Sequence, residues 1–116
     1  MKFIQEVKSS GQKLHTLICN AGLMATGLET TEDGHEAMLQ VNYLSQFLIS
    51  VHLLPMMEQS GSDDCRIVLV SSAAHDLFAA PFHEKRLKPN FFSDDNYDFM
   101  QVYGSTKLYQ VMQMYY

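Results

Sequence analysis

The sequence predicts an α/β fold: part of an open parallel sheet with right-handed crossovers packing helices on both faces. Three observations predict it. Two short apolar runs of strand length, at 14–19 and 66–70, alternate with longer stretches patterned at helical spacing. Each run ends in small or polar residues, Asn20-Ala21-Gly22 after the first and Ser71-Ser72 after the second. Open sheets of this kind bind ligands at the carboxyl ends of their strands. Both of these groups therefore fall on one functional edge.

The elements follow in order. Residues 1–13 read as the end of a helix, with Phe3, Ile4 and Val7 at helical spacing and Gly11 as a left-handed stop. Leu14 to Cys19 is a short buried strand. The Asn20-Ala21-Gly22 turn after it is either a plain strand-end turn or a place where a ligand comes close to backbone. Residues 23–31 form a loop. Asp33 with Glu36 reads as a capping box opening a helix that runs to about Met57, its apolar face marked by Leu44, Phe47, Leu48, Val51 and Leu54. Pro55 predicts a kink or a stop. Asn42 is an amide inside this apolar pattern, and it either satisfies core backbone groups or orders water in a site.

Gln59 to Cys65 is a polar loop, and Arg66 to Val70 is the second buried strand. Side chains alternate along a strand, so only one of Ser71 and Ser72 can face a site on a given side of the sheet. Residues 73–98 form a long connection, of a length that is usually functional or mobile. The last helix begins near Phe99 and continues to the chain end, patterned by Leu108, Val111, Met112 and Tyr115.

That helix carries Tyr103-Gly104-Ser105-Thr106-Lys107. A Tyr and a Lys four residues apart share one helix face. A phenol titrates near pH 10, too high for efficient proton transfer at neutral pH, and an adjacent ammonium favours the phenolate. With a serine hydroxyl nearby to hold a carbonyl or alcohol oxygen, the set suits hydride transfer at a carbon–oxygen bond.

Composition narrows the partners. A formal net charge of −5 argues against nucleic acid, whose phosphates need a basic surface. Cys19 and Cys65 sit in or beside apolar runs without CxxC spacing and read as buried thiols of a reducing compartment. No signal-like run opens the chain, and the apolar stretch 47–57 is too short to span a bilayer, so the expectation is a soluble, cytoplasmic chain. Ser72 with His75 or His83 lacks the GxSxG elbow of a hydrolase. His75, His83 and Glu84 match no zinc spacing, and no metal site is expected.

Taken together, Asn20-Ala21-Gly22 after a strand, Val41-Asn42-Tyr43 in a helix, Val70-Ser71-Ser72 ending a strand and Tyr103-x-x-x-Lys107 resemble the middle of a short-chain dehydrogenase/reductase. Thr31-x-Asp33-Gly34, Ser72-Ala73-Ala74-His75 and the long insert before Tyr103 are similar to the branch of retinol dehydrogenases and WW-domain-containing oxidoreductases. The resemblance implies a single NAD(P)-binding domain with a Rossmann-type, doubly wound parallel sheet, of which residues 1–116 are the central part. It implies Tyr103 as acid/base and Lys107 as the group that tunes it and holds the nicotinamide ribose. Ser72 would orient the substrate oxygen, and Asn42 would hold a relay water. Asn20, Ala21 and Gly22 would line the adenosine side of NAD or NADP. The helices carrying Asn42 and Tyr103 would form a homodimer face. The substrate would be an alcohol/carbonyl pair, with a retinoid or steroid implied by the branch.

Two departures qualify the expectation. The glycines at 11, 22, 27, 34, 61 and 104 give no GxGxxG or GxxxGxG turn for a pyrophosphate, and the chain stops inside the catalytic helix. The expectation is an incomplete domain, inactive by itself. Its rival is a truncated, non-enzymatic product, unstable alone or pairing with a full-length relative.

Overall fold

Two parallel strands joined through a long helix carry the candidate residues. The structure is a computed structural model that describes residues 2–61 and 64–115. Met1 and Tyr116, at the ends of the expected first and last helices, and Ser62 and Asp63, in the expected polar loop, lie outside the described residues. Strand β1 (Thr16–Cys19) pairs in parallel with β2 (Arg66–Leu69), Thr16 opposite Arg66 and Cys19 opposite Leu69. Each strand is shorter than its apolar run. The ladder still extends at both ends, from the Arg66 amide to His15 O and from the Val70 amide to Cys19 O.

Helix α1 (Lys2–Ser9) stops four residues before the expected end at 13. The Ser9 and Ser10 hydroxyls fold back onto Gln5 O and Val7 O at 2.8 and 2.7 Å, and Gly11 then takes φ +70°, the left-handed stop expected of it.

The central helix starts later than the Asp33 box implies. Glu36 is itself the cap: it is extended, and its carboxylate accepts the Leu39 amide at 2.7 Å. Asp33 instead accepts from the Gln40 side-chain amide at 2.8 Å. Gly34, at φ +80°, turns the chain between them, so the first helical residue is Ala37. After α2 (Ala37–Leu39) the backbone widens into a π turn over Gln40–Leu44, then tightens again as α3 (Ser45–Glu58). Helical geometry continues through Pro55 to Glu58, so the stop comes about one turn after the proline.

By length and composition Ala37–Glu58 could cross a membrane, which the apolar stretch 47–57 alone could not. Its buried face, however, carries Asn42, Gln46 and Ser50, each with a partner inside the chain, as a core helix requires.

The connection 73–98 is more ordered than its sequence suggests. It holds helix α4 (Ala74–Leu77) and two 3-10 turns, Glu84–Leu87 and Asp94–Asn96. Four hydrogen bonds fasten it. The Ala80 amide reaches Ser105 Oγ at 3.1 Å, and Arg86 Nη2 reaches Gln101 Oε1 at 3.0 Å. The Asn90 amide reaches Gly34 O at 2.8 Å, and the Tyr97 hydroxyl donates to Glu36 Oε1 at 3.1 Å. Burial, then the neighbouring Glu36 carboxylate, pushes the Tyr97 phenol well above its ordinary range. Helix α5 (Phe99–Gln113) begins where its pattern predicts, capped by Asp98 accepting from the Gln101 amide at 3.0 Å.

Cys19 meets Ser50 of α3, so α3 covers the sheet face on which Cys19 lies. Alternation sends Ile18 and its register partner Val68 to the opposite face, where Ile18 is 63% exposed. Helices are expected on both faces, but this second face presents apolar side chains to solvent.

Candidate active site

At the carboxyl ends of both strands a cleft of about 280 Å³ is lined by Asn20, Gly22, Leu23, Met24, Val70, Ser71, Tyr103 and Lys107. Thus Asn20 and Gly22 of the first turn, one serine of the pair, and the Tyr–Lys couple share a single opening. Ala21, Asn42 and Ser72 are not among the residues that line it, and the serine that does is Ser71.

Lys107 is the most constrained of these groups. It is 5% exposed, and its Nζ donates to Val70 O at 3.0 Å and lies 5.8 Å from the centroid of the Tyr103 ring. The ammonium is therefore anchored on the strand end and sits at the reach of a cation–π contact with the phenol ring. Burial lowers its pKa from the usual lysine value. The strand end and the helix are tied a second time by Ser71 Oγ, which donates to Lys107 O at 2.8 Å.

Gly22 permits the close approach of the first turn. A Cβ there would stand 3.3 Å from Asn42 Oδ1 and 3.7 Å from Lys107 Nζ. Of the two roles open to Asn42 in the sequence, the structure shows the core one. Fully buried, it accepts from the Leu23 amide at 2.8 Å and donates to Leu23 O at 2.9 Å and to Thr106 Oγ1 at 3.2 Å. Thr106 Oγ1 in turn donates to Tyr103 O at 2.7 Å. The amide thereby joins the loop after β1 to the helix that carries Tyr103. Its place in a π turn fits the habit of such turns to occur at functional sites.

The two serines divide their work. The Ser71 hydroxyl proton is engaged by Lys107 O. Ser72 Oγ accepts the Ala74 amide at 3.2 Å, and Ser72 O accepts the His75 amide at 3.0 Å and faces His75 Nδ1 at 2.6 Å. The Ser72 hydroxyl proton has no acceptor among the described residues.

Two residues that sequence reasoning did not single out complete the support. Gln46 Nε2 donates to Ala21 O, and Gln110 Nε2 donates to Gln46 Oε1 at 2.7 Å. Both glutamines are buried. The signal was present as two i, i+4 polar pairs, Asn42/Gln46 and Thr106/Gln110, set in otherwise apolar helix faces. Facing each other, these pairs form a polar layer that holds the first turn against α5. Among the described residues no group of three or more His, Cys, Asp and Glu could hold a metal ion.

Comparison with known proteins shows the family. The short chain dehydrogenase family matches residues 1–80. Retinol dehydrogenase 12 of Homo sapiens is 39% identical over 93 residues, covering 77% of this chain and 29% of its own length. Polyprenol dehydrogenase of Mus musculus is 41% identical over 75 residues, 63% of this chain and 22% of its own. Short chain dehydrogenase macD of Penicillium terrestre is 33% identical over 126 aligned residues, 98% of this chain and 37% of its own, and so extends over Tyr103 and Lys107. The chain spans less than two fifths of the length of each of these relatives. With a family match over more than half its residues and a parallel α/β arrangement to go with it, this chain belongs to the short chain dehydrogenase family.

Proposed function

We propose that the chain supplies the catalytic centre of an NAD(P)-dependent oxidoreductase that moves a hydride between the nicotinamide and an alcohol/carbonyl substrate. The observation that carries this reading is the convergence of Tyr103, Lys107 and the first turn on one cleft. Tyr103 gives its phenolic proton to a carbonyl oxygen, or takes one from an alcohol. Lys107, already donating one N–H to Val70 O, has two more to hold the ribose hydroxyls and to favour proton loss from the phenol. Besides its core bonds Asn42 Oδ1 keeps a second lone pair, and since Oδ1 and Lys107 Nζ both stand close to Gly22 we assign Asn42 the relay water as well. Asn20, Ala21 and Gly22 take the adenosine side. The nicotinamide, when bound, supplies the hydride chemistry. The cleft fits its ribose end, with a buried cation and a glycine that admits close approach, whereas no glycine-rich turn here cradles a pyrophosphate. The names retinol dehydrogenase and polyprenol dehydrogenase among the relatives support a lipophilic alcohol as substrate.

Ser72 is assigned to the substrate oxygen because its proton is not engaged, whereas that of Ser71 is. The test exchanges this chain for the matching segment of Homo sapiens retinol dehydrogenase 12 and measures NAD(P)-dependent turnover. Ser72→Ala is expected to lower kcat by on the order of 10²-fold or more, the cost of a lost oxyanion-type donor. Ser71→Ala is expected to cost less than about a tenth of that loss. An equal or larger loss at Ser71 would reverse the assignment, and an inactive exchange protein that folds would remove the functional reading.

A second reading is favoured by the exposed apolar sheet face and by the open shape. The radius of gyration is 15.4 Å, against about 13 Å for a compact domain of this length. In it the chain pairs with a longer relative or a second copy, for which the helices carrying Asn42 and Tyr103 are one available face, and does not transfer hydride alone. Both cysteines are thiols, which suits the cytoplasm. Titrating the isolated chain with NADH and NADPH is expected to show no saturable change in nucleotide fluorescence. Micromolar binding by a cooperatively folded monomer would overturn this second reading.

A further inference from the structure

Among the described residues, His75 supplies the one side chain that grips Ser72. Three hydrogen bonds end on this serine, and all of them are donated to it. The Ala74 amide reaches Ser72 Oγ at 3.2 Å, and the Ser72 carbonyl takes both the His75 amide at 3.0 Å and His75 Nδ1 at 2.6 Å. Two of these donors are main chain. The third is an imidazole that the proposed chemistry leaves unused.

The partner decides where the ring carries its proton. A carbonyl oxygen can only accept, so Nδ1 is the protonated nitrogen in this contact. The neutral ring is thereby held as the Nδ1–H tautomer with Nε2 bare, because the bond made by one ring nitrogen sets the state of the other. The charged ring would make the same bond. The ring is half-buried, and Nε2 has no partner among the described residues.

The turn that holds both residues is seated against the helix of Tyr103. Gly104, the next residue after Tyr103, brings the main chain of Ala74, Phe78 and Ala79 so near that a Cβ would stand 2.6 Å from Ala74 O. Whatever fixes the turn therefore also fixes how Ser72 stands relative to α5. With the Ala74 amide already on Ser72 Oγ, the hydroxyl hydrogen is the part of Ser72 left to engage a substrate oxygen.

We propose that His75 is a positioning residue for the Ser72 hydroxyl. Its Nδ1–H holds the Ser72 carbonyl, and with it the turn, at the setting from which the hydroxyl donates to the substrate oxygen. The ring itself neither touches the substrate nor exchanges a proton with it. This inference rests on the assignment of Ser72 to the substrate oxygen. A direct role for the ring would have to run through Nε2, whereas the contact in the structure uses Nδ1.

The experiment uses the retinol dehydrogenase 12 exchange protein, which holds the full chain, with steady-state kinetics and far-UV circular dichroism for each variant. Asn places an amide N–H where Nδ1–H stands, and Gln places one where Nε2 stands. His75→Ala is expected to lower kcat about tenfold with KM for the nucleotide changed by less than about twofold, since small misplacements of reacting groups cost up to about 10²-fold. His75→Asn is expected to recover most of that loss, and His75→Gln is not. In a Ser72→Ala background, His75→Ala is expected to change kcat by less than about twofold, because the group it positions is gone. Imidazole 15N spectra of the parent protein are expected to show neutral His75 protonated on Nδ1.

Unchanged kcat in His75→Ala beside an impaired Ser72→Ala would overturn this inference and leave the assignment of Ser72 standing. An unimpaired Ser72→Ala would remove both. The inference also fails if the tenfold loss persists in the Ser72→Ala background, if Gln recovers activity and Asn does not, or if the neutral ring carries its proton on Nε2. Should His75→Ala not fold, the comparison of Asn with Gln and the imidazole spectra decide alone.

Discussion

Replacing Tyr103 by Phe in the retinol dehydrogenase 12 exchange protein is expected to abolish measurable turnover while leaving NAD(P)H binding within a few-fold of the parent. The substitution removes one oxygen and nothing that holds the site together. Thr106 bonds the backbone carbonyl of Tyr103, not its phenol, and the ring that faces Lys107 Nζ survives. What is lost is the proton donor, and general acid–base catalysis is worth about 10²- to 10⁴-fold. Lys107→Ala should behave differently. It deletes a buried ammonium, leaves Val70 O without its 3.0 Å donor and removes the cation from the cleft, so turnover, nucleotide affinity and stability should all fall. The orphaned carbonyl alone costs about 1–3 kcal/mol. Steady-state kinetics beside nucleotide fluorescence separates the two patterns. Near-parental kcat in Tyr103→Phe would show that the phenol is not the acid/base.

Gly104→Ala is expected to destabilise the fold more than any other single methyl addition among the six glycines. Helix propensity alone points the other way, since Ala is favoured over Gly by about 1 kcal/mol in a helix interior. Sterics decide against it. A Cβ at this position would lie 2.6 Å from Ala74 O, 2.8 Å from Ala79 N and 2.9 Å from the carbonyl carbon of Phe78. All three are backbone atoms, which cannot rotate away as a side chain would. The segment carrying α4 must then lift off α5, straining the Ala80–Ser105 bond and moving Ser72, whose Oγ is held by Ala74. Overpacking of this kind typically costs 1–3 kcal/mol, roughly the upper end here because the obstacle is main chain. The net effect is a loss of about 2 kcal/mol, read as a lower urea midpoint. An unchanged or higher midpoint would show that α4 does not pack as closely as described.

By itself the sequence determined the alternation of elements, the parallel sheet, the start of α5 at Phe99 and the edge on which Asn20, Gly22, Tyr103 and Lys107 meet. These are consequences of local periodicity and of chain direction, which sequence order carries. The tertiary structure decided the rest. The cap moved from Asp33 to Glu36 because Gly34 turns the chain between them and the Tyr97 hydroxyl, from a distant segment, holds the other carboxylate oxygen. Asn42 became a clamp because its partners, Leu23 and Thr106, come from elements 19 and 64 residues away. The insert 73–98 became ordered for the same reason, through anchors on Gly34, Glu36, Gln101 and Ser105 that no local pattern announces. Hydrogen bonds between segments far apart in sequence leave no period in either segment, so only the folded chain reveals which buried polar group answers which.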